Sequence, residues 1–218
     1  MKKSVYSLVL MDDVVDAIDK LAYSMNTSRS NLINQILAEK VSYITPEKRI
    51  QDIFTRVCKI IDNDMNQISN AVISNSTLSL KSPVRYKYRP TVRYSVELYR
   101  NPKNAIGKLK VSMRTQNESL IELINHFFVF WSQLEEKYIS PHYPNGLEYS
   151  IENGKYERIF KLSPISEYSP NSAEIGNAIG NYINTFDVIL KTWFESEKNQ
   201  TDINGLYKNY FDHLRFLI

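Results

Sequence analysis

A single cysteine, Cys58, in 218 residues excludes a disulfide within the chain, so stability has to come from packing. A reducing, cytoplasmic location is the matching expectation. Glycine and proline are scarce, at 6 and 8 residues, and no low-complexity tract occurs, which excludes a linker-rich or disordered chain. No apolar run approaches the roughly 20 residues that cross a bilayer, so no membrane is expected as a partner. The apolar residues after Met1-Lys2-Lys3 are cut short by Asp12-Asp13, with no small-residue cleavage site behind them, and do not read as a secretion signal. Histidine is limited to His126, His142 and His213, far apart and without the spacings of metal ligands. Glycine-rich phosphate loops, nucleophile elbows and paired-carboxylate motifs are missing as well. Neither enzymatic activity, a metal nor a cofactor is expected.

What the chain does have is 43% hydrophobic and 12% aromatic residues, enough to build a core, and an uneven distribution of charge. The formal net charge of +3 hides it. Residues 1–45 carry five basic and five acidic side chains, residues 46–115 fourteen and five, and residues 116–218 eight and fourteen. The middle is the basic part. It either meets a polyanion or is neutralised by the acidic third of its own chain.

At the N-terminus, residues 4–10 alternate so that Tyr6, Leu8 and Leu10 share one face, which predicts a strand. Asp12 and Asp13 offer an N-cap and first-turn negative charge for a helix with Val14, Val15, Ile18, Leu21 and Ala22 on its apolar side. Asn26, which tolerates the left-handed conformation, marks its end, and Ser28 can cap a second helix carrying Leu32, Ile33, Ile36, Leu37 and Val41. One strand and two short helices cannot bury enough surface alone, so a homodimer or higher homo-oligomer is expected. Two such strands pairing antiparallel would form a ribbon that fits the DNA major groove.

The run Tyr6-x-Leu8-x-Leu10-x-Asp12-Asp13-Val14-Val15-x-x-Ile18-x-x-Leu21-Ala22, followed by Asn26-x-Ser28-Arg29-Ser30-x-Leu32-Ile33, resembles the ribbon-helix-helix (MetJ/Arc-like) DNA-binding family. The resemblance covers about a fifth of the chain, with the spacing matched without a gap. It implies a dimeric transcriptional repressor whose ribbon reads base edges in double-stranded DNA, while the start of the second helix holds a phosphate. Thr27, Ser28, Arg29 and Ser30 match the phosphate role, which the free amides and dipole of a helix N-terminus favour. Lys2 and Lys3 would add phosphate contacts. The base-reading positions fall on Val5, Ser7 and Val9, where the family usually has longer polar or basic side chains; valine can touch a thymine methyl and little more.

Thr45-Pro46 predicts the start of a connecting amphipathic helix over 46–76, its stripe built from Ile50, Phe54, Val57, Ile61, Met65, Ile68 and Val72, with Cys58 beside it as a packing thiol. Three alternating segments follow. Val84, Tyr86 and Tyr88 lie opposite Arg85, Lys87 and Arg89; Val92, Tyr94, Val96 and Leu98 opposite Arg93; and Leu109, Val111 and Met113 opposite Lys108, Lys110 and Arg114. Residues 81–114 hold ten basic side chains and one acidic. If the segments pair, they make a sheet with one apolar and one positive face, either a second nucleic-acid surface or a solvated one. Thr115-x-x-Glu118 predicts a capping box for a helix to about Tyr138. Strands at 147–151 and 157–162 about an Asn153-Gly154 turn, a helix over 172–195 with Gly176 and Gly180 one turn apart, and a last helix over 202–217 complete the chain. The expected architecture is α+β: a ribbon-helix-helix module at 1–45, the helix at 46–76, and a domain at 77–218 with two ββα-like units. That domain would bind a small-molecule or protein effector, or self-associate. A DNA-organising accessory protein of plasmid transfer or partition, or a dimeric protein-binding adaptor, is the alternative function.

Overall fold

The computed structural model describes residues 5–63, 68–87, 89–162, 170–195 and 200–218; Lys2, Lys3, Met65 and Tyr88, singled out above, lie outside them. The chain divides into two compact units, Met1–Arg49 and Ile50–Ile218.

In the first unit, α1 (Asp12–Ser24) starts one residue earlier than the aspartates suggested, because Met11 takes the N-cap position without a side-chain bond and Asp12 and Asp13 sit inside the first turn. Its end follows the sequence. Asn26 adopts φ 50°, and the Thr27 amide donates to the Ala22 carbonyl at 2.9 Å, closing the last turn. Ser28 caps α2 (Arg29–Lys40), its Oγ accepting from the Asn31 amide at 3.3 Å. Ser42 repeats the left-handed exit at φ 55°, after which Thr45 caps α3 (Pro46–Asn63), accepting from the Lys48 amide at 3.1 Å. No strand is paired over residues 5–10. Tyr6 and Leu8 are 82% and 62% exposed, so the face expected to be buried lies open.

The connecting helix expected over 46–76 stops at Asn63, and β1 (Ser69–Ser74) takes up what read as its last turns. Ser69, Asn70, Val72, Ile73 and Ser74 are poor helix formers, and the turn at Asn75-Ser76 returns the chain as β2 (Thr77–Pro83), which supplies a hydrogen-bonding partner. β3 (Thr91–Leu98), β4 (Gly107–Met113), α4 (Glu118–Tyr138), β5 (Tyr149–Glu152), β6 (Lys155–Phe160), α5 (Ser172–Glu195) and α6 (Gln200–Asp212) follow. The strands form one antiparallel sheet in the order β1-β2-β3-β4-β6-β5, not two ββα units. The strand expected at 84–88 is instead the connection between β2 and β3. There the Val84 amide donates to the Pro90 carbonyl, Arg89 sits at φ 43°, and Tyr86 packs edge-on against Phe194 at 5.3 Å. Val84 and Tyr86 are apolar because they anchor this loop, which imitates strand alternation. The capping box at Thr115 also resolves differently: Asn117 caps α4, accepting from the Leu120 amide at 3.1 Å, and Thr115 accepts from the Asn117 amide.

One sheet face is covered by helices. Leu78, Leu80, Val92, Tyr94, Val96, Leu109, Val111, Tyr156 and Phe160 alternate inward and are all buried. Phe186 of α5 is the hub above them, with six ring centroids within 6.3 Å, from Tyr94, Phe127, Phe128, Trp131, Tyr156 and Tyr182. Gly176 and Gly180 let α5 approach α3 closely: a Cβ at Gly176 would lie 2.6 Å from the Arg56 Cβ, and one at Gly180 2.9 Å from the Ile60 Cβ. Cys58 is a partly buried packing thiol, pushed up in pKa by burial and by Asp62.

Inside this apolar layer lies a closed polar network. Glu135 Oε1 accepts from the Tyr182 hydroxyl at 3.0 Å and stands 3.2 Å from Arg158 Nε; its Oε2 accepts from the Tyr156 hydroxyl. Trp131 Nε1 donates to the Tyr182 oxygen at 3.0 Å, and Arg158 Nη2 to the Ile218 main-chain oxygen at 2.7 Å. Both charged partners are at most 1% exposed. Burial pushes the Glu135 carboxyl up despite Arg158 beside it, whereas Arg158, opposed by burial, is held above its ordinary value by Glu135 and the tyrosine oxygens. Next to it, Asp187 accepts from the Tyr94 hydroxyl at 2.8 Å and pairs with Lys191 at 2.6 Å. A pair this deep is costly to break and gains little over an apolar one. Glu135→Ala should therefore cost about 3–5 kcal/mol in urea denaturation by stranding Arg158, while Glu135→Leu with Arg158→Met should recover part of that loss, the Tyr156 and Tyr182 hydroxyls lacking their acceptor in both. Equal destabilisation in both variants would contradict the pairing.

Candidate nucleic-acid interface

The first candidate surface lies in the N-terminal unit. Val5 and Val9 are almost wholly exposed, at 99% and 102%, and Ser7 is exposed between them, so the three positions expected to face DNA are free to do so. At the start of α2, Ser28 spends its hydroxyl on the cap, Ser30 is exposed in the first turn, and Thr27 is half-buried in the connection. Arg29 is already engaged. Its Nε donates to Asp19 Oδ1 of α1 at 2.5 Å and its Nη2 to Oδ2, a two-pronged pair between the helices. The Arg29 hydrogen bond holds the Asp19 carboxyl below its ordinary value of 3.8. An anion at this helix N-terminus would have to share the guanidinium with Asp19. Sequence reasoning assigned Arg29 to phosphate and missed Asp19, although ten residues across a helical hairpin is a spacing that allows the contact.

The second surface is the side of the sheet away from the helices. Of the expected cations, Arg93, Lys108 and Lys110 do project from that face, and Arg114 follows β4 immediately. Arg85, Lys87 and Arg89 do not lie on a strand but are exposed in the β2–β3 connection. Register adds two cations that sequence patterning does not bring out, Lys81, paired with Arg93, and Lys155, paired with Ser112. Lys108 is compensated. It sits 3.6 Å from Glu97 and 3.8 Å from Glu157, the second supplied by β6 from the acidic third of the chain. Lys110 is the register partner of the same Glu157. The face is thus mixed at one end and positive at the other, rather than uniformly positive.

Among the described residues no group of three or more histidine, cysteine or carboxylate side chains could hold a metal ion. His126 borders a shallow, open depression with Glu118, Glu122, Asn125 and Asn153; His142 packs on Phe211; and His213 Nδ1 lies 2.7 Å from the Asn209 carbonyl. The Glu135–Arg158 network, which sequence reasoning also missed, is buried and ties β6 to α4, α5 and Ile218. No described helix is long and apolar enough to cross a membrane. Comparisons with family models, with curated proteins and with solved structures find no match.

Because the Arg29 hydrogen bond lowers the pKa of Asp19, the pair's contribution is complete above the ordinary aspartate range and fades as pH falls through the lowered value. Arg29→Ala should return the Asp19 carboxyl to the ordinary range in a carbon-13 NMR titration. An unchanged titration would show that the pair does not form.

Proposed function

We propose that the chain is a DNA-binding transcriptional repressor that acts as a dimer or higher oligomer through an N-terminal ribbon-helix-helix, with Ile50–Ile218 serving as an effector or oligomerisation domain. One observation carries this reading. An exposed, largely apolar segment, Val5 to Leu10, stands directly before two helices whose apolar residues Leu21, Ile36 and Leu37 are also exposed, as is Val41 just after the second. Such a surface fits a second copy of itself, strand against strand and helix against helix, better than it fits water. Pairing of residues 5–10 across a two-fold axis would bury Tyr6, Leu8 and Leu10 and turn Val5, Ser7 and Val9 outward together. The start of α2, with Ser28, Arg29 and Ser30, then offers an anion site on each protomer.

The alternative, a DNA-organising accessory protein, is favoured by one feature. The outward side chains Val5, Ser7 and Val9 include none able to make the paired hydrogen bonds that discriminate bases. A dimeric adaptor that binds protein uses the same dimer and no DNA. Selection from random duplex oligonucleotides at physiological salt separates the three. The repressor reading predicts enrichment of a short palindrome; strong but sequence-indifferent binding would replace it with the accessory role, and absence of binding with the adaptor.

A further inference from the structure

We propose that one end of the open sheet face, with the β2–β3 turn beside it, holds the phosphate backbone of duplex DNA; this rests on the DNA-binding reading above and gives it a second, sequence-independent binding surface. Register places Lys81, Arg93, Ser112 and Lys155 in one row across β2, β3, β4 and β6. Three strand spacings make that row about 15 Å wide. Arg114 extends the same end, because the preceding residue, Met113, pairs with Val92 near the start of β3. The β2–β3 connection closes that end above the Pro83–Thr91 pair and carries Arg85, Lys87 and Arg89. All seven cations are exposed, and among the described residues none stands in an ion pair. One carboxylate joins the row, Glu152 on edge strand β5, opposite Lys155.

The opposite end of the face shows what a merely solvated surface looks like in this protein. Lys108 and Lys110 are matched by Glu97 and Glu157, and Lys161 is paired with Glu148 at 2.6 Å. Signs there alternate along the strands, and Arg100 and Lys103 lie exposed in the adjoining β3–β4 connection. Among the described residues, register at the basic end brings Glu152 alone into the row against its three cations, so the charge of the row is only partly compensated. Four of the seven cations are arginines, whose forked donors fit phosphate oxygens. The row itself holds only lysine, arginine, serine and glutamate. It offers no aromatic platform for the unstacked bases of a single strand and no apolar wedge for a lipid layer. A duplex, with one charge per about 1.7 Å, needs neither.

The test uses the full chain in three variants: Lys81→Ser with Arg93→Ser and Lys155→Ser; Arg85→Ser with Lys87→Ser and Arg89→Ser; and Lys108→Ser with Lys110→Ser as the control. Fluorescence anisotropy with a labelled duplex, between about 50 and 200 mM salt, gives the slope of log affinity against log salt. The first variant should flatten the slope by up to about 2.7, about 0.9 for each phosphate no longer neutralised. The second variant should flatten it as well, equally for selected and unrelated duplexes, and the control should leave it unchanged. Unaltered melting temperatures check that these exposed changes spare the fold. If the wild-type chain binds duplex and neither of the first two variants changes the slope, the sheet end does not hold DNA while the N-terminal reading stands. A control as flat as the variants removes the confinement to one end. Wild-type protein that ignores duplex removes both readings, and tighter binding to single-stranded RNA or phosphatidylserine vesicles, abolished in the first variant, overturns the choice of partner.

Discussion

Residues 5–49 bury few apolar side chains of their own. Among the described residues of this unit, the buried apolar side chains are Ala22, Leu32 and Ala38, of which only the leucine is large. Burying a leucine contributes about 1.5–3 kcal/mol, whereas fixing each residue's backbone costs about 1–2 kcal/mol. Helix capping by Ser28 and Thr45 adds about a kilocalorie per site and does not reverse that balance. What can reverse it is the apolar surface left uncovered: Val5, Tyr6, Leu8, Leu10, Leu21, Ile36, Leu37 and Val41. In the proposed function a second copy covers that surface.

The second unit has the opposite character. Its sheet is covered on one face by aromatic side chains centred on Phe186, and its buried charges are partnered inside that layer. Glu135 and Arg158 fix how β6 meets α4 and α5, and the glycines of α5 fix its approach to α3. The other sheet face is open. Its charge is free to differ between ends, mixed around Lys108 and positive around Arg93.

Much of this was legible in the residues, and the failures have identifiable causes. Caps and left-handed exits are local, so Asn26, Ser28 and Thr45 marked their helices correctly, as did the Asn153-Gly154 turn between β5 and β6. β1 was hidden because Ile61, Ile68 and Val72 continue a helical spacing that only the pairing with β2 overrides. The loop residues Val84 and Tyr86 imitated a strand because anchoring a turn also needs alternate apolar side chains. Glu135 and Arg158 did leave a signal: Glu135 falls where the apolar period of α4, through Ile124 and Trp131, requires a core residue, and Arg158 stands between the inward Tyr156 and Phe160. The neutralisation of Lys108 by Glu157 was not legible, since it depends on β6 lying beside β4. Residues 5–10 pair with no strand among the described residues, so the expected ribbon has no counterpart there.

The central claim, that a second copy completes the N-terminal unit, is tested most directly by hydrogen exchange of the full chain combined with sedimentation equilibrium. The account predicts a dimer in which amides of residues 5–10 are protected, with protection and dimerisation disappearing together in Leu8→Lys. A monomer at all concentrations, with those amides exchanging as in an unstructured peptide, would contradict it.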